Sequence, residues 1–181
     1  MVIFIIGGSG SGKSEYAERR AVELRKKSPD AELVYIATME DTDEESKKRI
    51  ERHRKMRAGK SFVTRECSTH LEKLSTGKKE IVLLECLSNL MANEMFSQSG
   101  RNTQAVSVIK MGILRLIKES KDVIIVGNNV FEDGMEYDET TEQYLQQMAK
   151  LHEFVAEEAN EVVEVICGLP VFWKGEEYEV Y

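Results

Sequence analysis

The sequence predicts an α/β fold in which a mostly parallel, doubly wound sheet carries helices on both faces. Two observations support this prediction. Apolar segments of strand length alternate with segments of helical pattern along the 181 residues. The first apolar segment, 2–6, leads directly into a glycine-rich loop, and a helical segment follows that loop. A strand, a glycine-rich loop and a helix in this order are typical of a nucleotide-binding domain.

The glycine-rich loop matches the P-loop pattern G-x-x-x-x-G-K-[ST]. Glycines in such a loop let successive backbone N–H groups point inward at an anion. Lys13 can reach the β- and γ-phosphates, and the hydroxyl of Ser14 can bind Mg²⁺. A glycine- and serine-rich turn without a ligand is the alternative. The residues predicted to bind the nucleotide are Gly7, Gly8, Ser9, Gly10, Ser11, Gly12, Lys13 and Ser14.

The first half of the chain contains four predicted strands. They are the apolar or β-branched segments 2–6, 32–38, 61–66 and 81–86. A helix from residue 15 to about residue 27 follows the first strand. The acidic start and basic end of 41–57 suit the dipole of a second helix, which Gly59 should end. The segments 69–75 and 87–95 are the next predicted helices.

The second half continues the alternation. Apolar residues recur at helical intervals in 104–119, and a buried strand is predicted at 122–127. An acidic loop, 130–139, precedes a long polar helix. The remaining predicted elements are helix 140–158, strand 161–167 and a final edge strand at 168–174.

Length and composition favour a single domain, 1–174, followed by an acidic tail, 175–181. The net charge of −7 argues against a nucleic-acid partner, which would need a concentrated basic face. The cysteines Cys67, Cys86 and Cys167 lack metal-ligand spacing. No signal peptide or apolar run of membrane-spanning length is found, so we expect a cytoplasmic protein without a membrane span.

A carboxylate, Glu85, appears at the end of the continuously apolar strand 81–86. Ligands of open α/β sheets lie at the carboxyl ends of the strands. Glu85 is therefore a candidate Mg²⁺ ligand together with Ser14, although Asp is more usual at this position of a P-loop enzyme. The alternative is a solvated glutamate at a strand end.

Of the three histidines, His53 is the candidate for a chemical role, because four arginines share its predicted helix: Arg49, Arg52, Arg54 and Arg57. Such cations can bind a triphosphate, and they should keep the imidazole neutral and nucleophilic. The alternative is a solvated amphipathic helix on which the histidine is incidental. His70 and His152 are interpreted as ordinary surface or capping residues.

These residues resemble the bifunctional adenosylcobinamide kinase / adenosylcobinamide-phosphate guanylyltransferase family of cobalamin biosynthesis. The Tyr-Ile-Ala-Thr segment followed by an Arg-Ile-x-x-His-Arg helix is the most specific part of the resemblance. The matching segments, in order over roughly the first hundred residues, are 7–14, 35–38, 49–54 with Arg57, 64–66, 83–87 and Asn93.

The resemblance implies a RecA-like P-loop fold that binds ATP or GTP with Mg²⁺ and a corrinoid substrate. It implies phosphorylation of adenosylcobinamide and then transfer of GMP from GTP through a covalent guanylyl-histidine at His53. Lys13 would assist catalysis, and a homotrimer is implied. The resemblance assigns further nucleotide contacts to Ala37, Thr38, Met39, Arg54, Lys55, Met56, Arg57, Glu66 and Glu85.

The second half departs from the family pattern. The family usually has Asn-Glu-Val-Gly after the late strand, whereas this chain has Asn-Asn-Val-Phe at 128–131. The familiar arginine and Asn-Gln positions are not recognisable in 140–158. We expect this departure to concern corrinoid specificity, or one of the two activities, more than nucleotide binding.

Three hypotheses follow from the sequence. The first is the bifunctional corrinoid enzyme. The second is a monofunctional small-molecule or nucleotide kinase in which His53 has no catalytic role. The third is a non-catalytic nucleotide-binding regulator. A pure binder needs no nucleophile, so His53 together with Glu66 and Glu85 favours the first hypothesis over the third.

Overall fold

The computed structural model describes residues 1–41, 43–131, 135 and 137–175. A seven-stranded sheet forms the centre of this part of the chain. Its strands are β1 (Val2–Ile6), β2 (Glu32–Ala37), β3 (Phe62–Glu66), β4 (Glu80–Glu85), β5 (Asp122–Val126), β6 (Glu161–Ile166) and β7 (Leu169–Lys174). The spatial order is β3-β2-β4-β5-β1-β6-β7. Only β7 runs antiparallel to its neighbour, so the predicted mostly parallel sheet is confirmed.

Helices cover both faces of the sheet. The helices are α1 (Lys13–Lys27), α2 (Glu44–Arg57), α3 (Leu87–Phe96), α4 (Ala105–Glu119) and α5 (Glu139–Glu158). Strand side chains alternate between two apolar clusters, as a period of two requires. One cluster packs against α3, α4 and α5. The other packs against α1. The doubly wound architecture predicted from the sequence is therefore confirmed.

The helix α2 differs from the other helices because it has no apolar face. Its N-cap, Asp43, accepts a hydrogen bond from the backbone N–H of Ser46 at 2.7 Å. Among its 14 residues only Arg57 is buried. The N-cap, together with acidic residues in the first turn and basic residues in the last turn, stabilises the helix locally. Few side chains fix its position on the sheet.

One of the helices predicted from the sequence is not an α-helix in the structure, so that prediction is wrong. The segment 69–75 forms only a 3₁₀ turn at Leu71–Lys73. His70 has a left-handed backbone (φ 59°), which an α-helix cannot include, and Leu71 is buried against Gly112 of α4. Residues 132–134 and 136 of the acidic loop and the tail from 176 onward lie outside the described residues.

Candidate active site

The loop between β1 and α1 forms a tight cradle at the carboxyl edge of the sheet. Gly12 has φ 91°, a left-handed conformation that favours glycine. At Gly7 a side chain would meet the Ser11 hydroxyl and the Val165 carbonyl oxygen, each at 2.6 Å. The backbone N–H of Gly168 donates to the carbonyl of Ser11 at 2.8 Å, which ties the turn between β6 and β7 to the loop. The geometry of the loop thus requires glycine at positions 7 and 12.

Lys13 lies inside this cradle. Its side chain is largely buried, and Nζ donates to the carbonyl oxygen of Gly8 at 2.9 Å. Burial lowers the pKa of Lys13, and electrostatic interactions with Cys86 and Glu85 act in the opposite direction. The hydrogen bond to Gly8 holds the amino group of Lys13 inside the loop.

Glu85 joins the loop to the neighbouring strands. Its Oε1 accepts a hydrogen bond from the hydroxyl of Ser14, and its Oε2 accepts one from the phenol of Tyr35 at 3.2 Å. Burial, followed by the charge of Glu85, raises the pKa of Tyr35. Two oxygen donors, one from α1 and one from β4, thus meet as a Mg²⁺ site would require.

A cavity of about 340 Å³ opens above these groups. It brings together most of the residues that the sequence predicted. Those lining it are Ser9, Gly10, Ser11, Gly12, Lys13, Ser14, Ala37, Met39, His53, Arg54, Met56, Arg57, Glu66 and Glu85. Its volume lies at the small end of the range for ligand pockets.

Four of the predicted residues do not line the cavity: Gly7, Gly8, Thr38 and Lys55. Thr38 is fully buried, and its hydroxyl donates to the carbonyl oxygen of Cys86 at 2.9 Å. The hydroxyl also accepts from the backbone N–H of Cys86 at 2.7 Å, so it joins the ends of β2 and β4. Lys55 is exposed and pairs with Glu51 of its own helix.

His53 projects from α2 into the cavity, where 14% of its side chain remains exposed. Its Nδ1 lies 3.6 Å from Oε1 of Glu85 and has no hydrogen-bond partner among the described residues. Burial lowers the pKa of His53, and Glu85 acts in the opposite direction. Three arginines add to the lowering: Arg52, Arg57 and Arg49. The sequence predicted a neutral imidazole because of the neighbouring arginines. In the structure, burial is the larger cause and the arginines add to it.

The carboxyl end of α2 is held by two contacts that the sequence did not reveal. The guanidinium of Arg57 lies over the ring of Tyr35, 3.5 Å from its centroid. Lys60, just beyond the helix, pairs with the fully buried Glu18 of α1 at 2.5 Å. Burial raises the pKa of Glu18, and the hydrogen bond from Lys60 opposes that effect. These contacts hold the helix that carries His53 over the cavity.

Sequence reasoning also missed two amides that line the cavity, Asn89 and Asn128. Asn128 follows β5 and donates to the hydroxyl of Ser88 at 2.5 Å. Its position at the carboxyl end of a central strand was the signal that could have identified it. Asn93, part of the family resemblance, donates to the carbonyl oxygens of Thr38 and Ser68.

The other two histidines lie away from this cavity. His70 precedes the 3₁₀ turn, in keeping with a capping position. The half-buried His152 packs edge-on against the rings of Phe4 and Phe131, so its interpretation as a surface residue is wrong. Burial lowers its pKa to about 4.

Comparison with known proteins places these features in a family context. A family model described as cobinamide kinase / cobinamide phosphate guanyltransferase matches residues 3–172. The bifunctional adenosylcobalamin biosynthesis protein CobU of Escherichia coli K12 is 26% identical over 94% of this chain and 98% of its own length. The corresponding CobP of Pseudomonas aeruginosa is 28% identical over 95% of this chain and 96% of its own length.

Two further comparisons concern a shorter segment and the fold. CobU of Salmonella typhimurium is 33% identical over 105 residues, which are 56% of this chain and 54% of that protein. A structure from Pyrococcus horikoshii OT3 aligns with 98% of this chain and 88% of its own, with a TM-score of 0.50 and 12% identity. Within the described ranges, no helix combines the length and apolar character needed to cross a bilayer.

Proposed function

The chain belongs to the cobinamide kinase / cobinamide phosphate guanyltransferase family, and we propose that it catalyses both reactions in cobalamin biosynthesis. It phosphorylates a hydroxyl of adenosylcobinamide with ATP or GTP, and then transfers GMP from GTP to the new phosphate. One observation carries the proposal. His53, the P-loop lysine and Glu85 line one cavity, with Nδ1 of His53 3.6 Å from Glu85.

The nucleotide phosphates bind in the P-loop cradle, where backbone N–H groups and Lys13 supply positive charge. Mg²⁺ would be held by the Ser14 hydroxyl and the Glu85 carboxylate, whose contact supplies the oxygen donors that this ion prefers. When bound, Mg²⁺ neutralises charge on the phosphates. In the kinase reaction the corrinoid hydroxyl oxygen forms a bond to the γ-phosphorus, and the bond from that phosphorus to the β–γ bridging oxygen breaks. The nucleoside diphosphate leaves with the electron pair, and the hydroxyl proton passes to solvent.

In the guanylyl reaction, Nε2 of His53 attacks the α-phosphorus of GTP, because Nδ1 faces Glu85. An N–P bond forms, and the bond from the α-phosphorus to the bridging oxygen breaks. Pyrophosphate leaves with that electron pair. The cavity arginines, Arg49, Arg52 and Arg54, are suited to receive its charge.

The second half of the reaction uses the corrinoid phosphate as the nucleophile. A phosphate oxygen attacks the phosphorus of the guanylyl group, and the N–P bond breaks. His53 recovers its electron pair and returns to the neutral imidazole that burial favours. Two steps at a neutral nitrogen avoid the direct approach of the anionic acceptor to intact GTP.

Intact-protein mass spectrometry after incubation with GTP and Mg²⁺ tests the proposal. We expect one added GMP per chain, labile in acid and stable in base, as phosphoramidates are. His53→Asn should abolish the adduct and leave nucleotide binding to the P-loop intact. An adduct that persists in His53→Asn, or never forms at any GTP concentration, contradicts the guanylyltransferase and leaves the kinase alone.

The resemblance also supports a proposal about assembly and location. We propose that the protein acts in the cytoplasm as a homotrimer. Exposed apolar side chains on the edge formed by β6 and β7, namely Ile166, Leu169 and Trp173, are available for contacts between subunits.

A further inference from the structure

A second cluster of metal-binding groups lies outside the nucleotide cavity. It consists of His70, Glu72 and Glu94, whose ligand atoms all lie within 4.8 Å of one another. His70 and Glu72 belong to the connection between β3 and β4, and Glu94 belongs to α3. None of the three lines the nucleotide cavity. The cluster therefore needs an explanation of its own.

The charge balance of the cluster calls for a cation. Glu94 is fully buried, and each of its oxygens accepts a backbone N–H, from His70 at 2.5 Å and from Arg101 at 2.9 Å. Glu72 adds a second carboxylate that is only 15% exposed. Within the part of the chain that is described, the only ion-pair partner of these carboxylates is His70, 3.4 Å from Glu72. A cation bound between the two adjacent carboxylates would balance their charge, because buried charges are usually paired or bound to metal.

Two atoms of the cluster are also left without hydrogen-bond partners among the described residues. Nδ1 of His70 and Oε2 of Glu72 are buried and make no hydrogen bond to the described residues. Each oxygen of Glu94 accepts a single hydrogen bond, although a carboxylate has about four acceptor positions. One nitrogen and two carboxylate groups thus retain lone pairs for a common ligand. A cavity of about 360 Å³ borders His70, Ser68 and Lys73 on one side of the cluster.

We propose that His70, Glu72 and Glu94 bind one Zn²⁺ ion. Imidazole nitrogen and carboxylate oxygen are both ordinary zinc ligands, and three protein ligands leave a fourth position for water. The ion joins the 3₁₀ turn to the carboxyl end of α3 and so fixes the connection that leads into β4. This site is separate from Ser14 and Glu85 and does not depend on the proposed catalytic cycle.

Zinc binding to chelator-treated protein, without nucleotide, tests the site. Competition with a chromophoric zinc indicator should give one ion per chain. Two variants remove one ligand each: His70→Asn keeps a residue that tolerates the left-handed backbone, and Glu72→Gln keeps the side-chain size. Each should weaken zinc binding by about tenfold or more. Zinc should also raise the melting temperature of the wild type more than that of either variant at the same zinc concentration.

Three controls locate the ion. His53→Asn, His152→Asn and Cys167→Ser should all bind zinc as the wild type does. Loss of zinc in His53→Asn with retention in His70→Asn would assign the ion to the nucleotide cavity and overturn the proposal. Absence of stoichiometric binding would show that the cluster is only an ion pair between His70 and Glu72. If His70→Asn does not fold, Glu72→Gln decides, and unchanged zinc affinity in that variant overturns the site.

Discussion

His53 combines a shielded ring with a neighbouring carboxylate, and the two act in opposite directions on its charge. Burial lowers its pKa and thereby favours the neutral ring, whereas Glu85 raises the pKa. A nucleophilic nitrogen must be unprotonated. The proposed attack should therefore continue as the pH falls below the ordinary histidine value of about 6.5, and should fail only at the lower pKa of the folded protein.

The contribution of the arginines gives a prediction about pH. Arg52 lowers the pKa of His53, so Arg52→Gln should move the midpoint of single-turnover guanylylation to higher pH. Lys48→Gln removes an exposed cation of the same helix and should leave the midpoint unchanged. Rates of adduct formation by quenched mass spectrometry across the acidic range provide the measurement. An unshifted or lower midpoint in Arg52→Gln would show that Arg52 does not lower the pKa of His53.

His152 predicts how stability responds to acid. Its pKa is about 4 in the folded chain, because of burial, and about 6.5 when unfolded. Between these values the unfolded state binds more protons than the folded state. The contribution of His152 to the free energy of unfolding is therefore fully present above pH 6.5 and is lost as the pH falls toward 4. The loss attributable to this residue is about 3 kcal/mol.

Denaturant unfolding at several pH values tests that prediction. His152→Phe keeps an aromatic ring between Phe4 and Phe131 and removes the titrating group. The dependence of the free energy of unfolding on pH should become much shallower in the variant between pH 6.5 and pH 4. Equal slopes in the two proteins would show that other groups cause the acid sensitivity.

At the scale of elements, α2 is positioned by its last turn. A helix that buries only Arg57 gains little from apolar packing, so the stacking on Tyr35 and the ion pair of Lys60 with Glu18 determine where His53 lies. A displacement of about 1 Å in a reacting group can cost a hundredfold in rate. We therefore expect the ion pair to affect the proposed guanylylation through the position of His53.

The ion pair can be tested by separating rate from affinity. Lys60→Met should slow guanylylation by about tenfold while changing GTP affinity little, and Lys60→Arg should restore most of the rate. Lys47→Met, which breaks the exposed pair with Glu44 in the first turn of α2, is the matched control. Equal losses of rate and affinity in Lys60→Met would indicate general damage to the site.

The elements also show where prediction from sequence succeeds. The strands, the P-loop and the position of Glu85 follow from local patterns and from the meeting of parallel strand ends at one edge. The pairing of Lys60 with Glu18 joins residues 42 positions apart, and no local pattern encodes it. The segment 69–75 has a helical composition, but burial of Leu71 against α4 overrides that preference. Long-range packing is thus what the sequence alone did not provide.

At the scale of the whole molecule, the sheet order combines contributions from both halves of the chain. The first half supplies the P-loop after β1, Glu85 at the end of β4 and His53 on α2. The second half supplies Asn128 after β5, which lies next to β1 in the sheet. The family pattern is altered in this second half, so we expect differences from relatives to concern the corrinoid acceptor.

Asn129 provides the test of that division. Its backbone N–H donates to the carbonyl of Gly7 at 3.0 Å, so residue 129 adjoins the start of the P-loop. Asn129→Glu restores the glutamate of the family pattern and should raise kinase turnover on cobinamide several-fold, while GTP affinity and formation of the GMP adduct stay unchanged. Gln104→Glu, the same change of amide to acid at an exposed position, should alter none of these quantities. Parallel changes in kinase turnover and GTP affinity would place residue 129 on the nucleotide side of the cavity. A group that contacts only the acceptor should not change the affinity for GTP when no acceptor is bound.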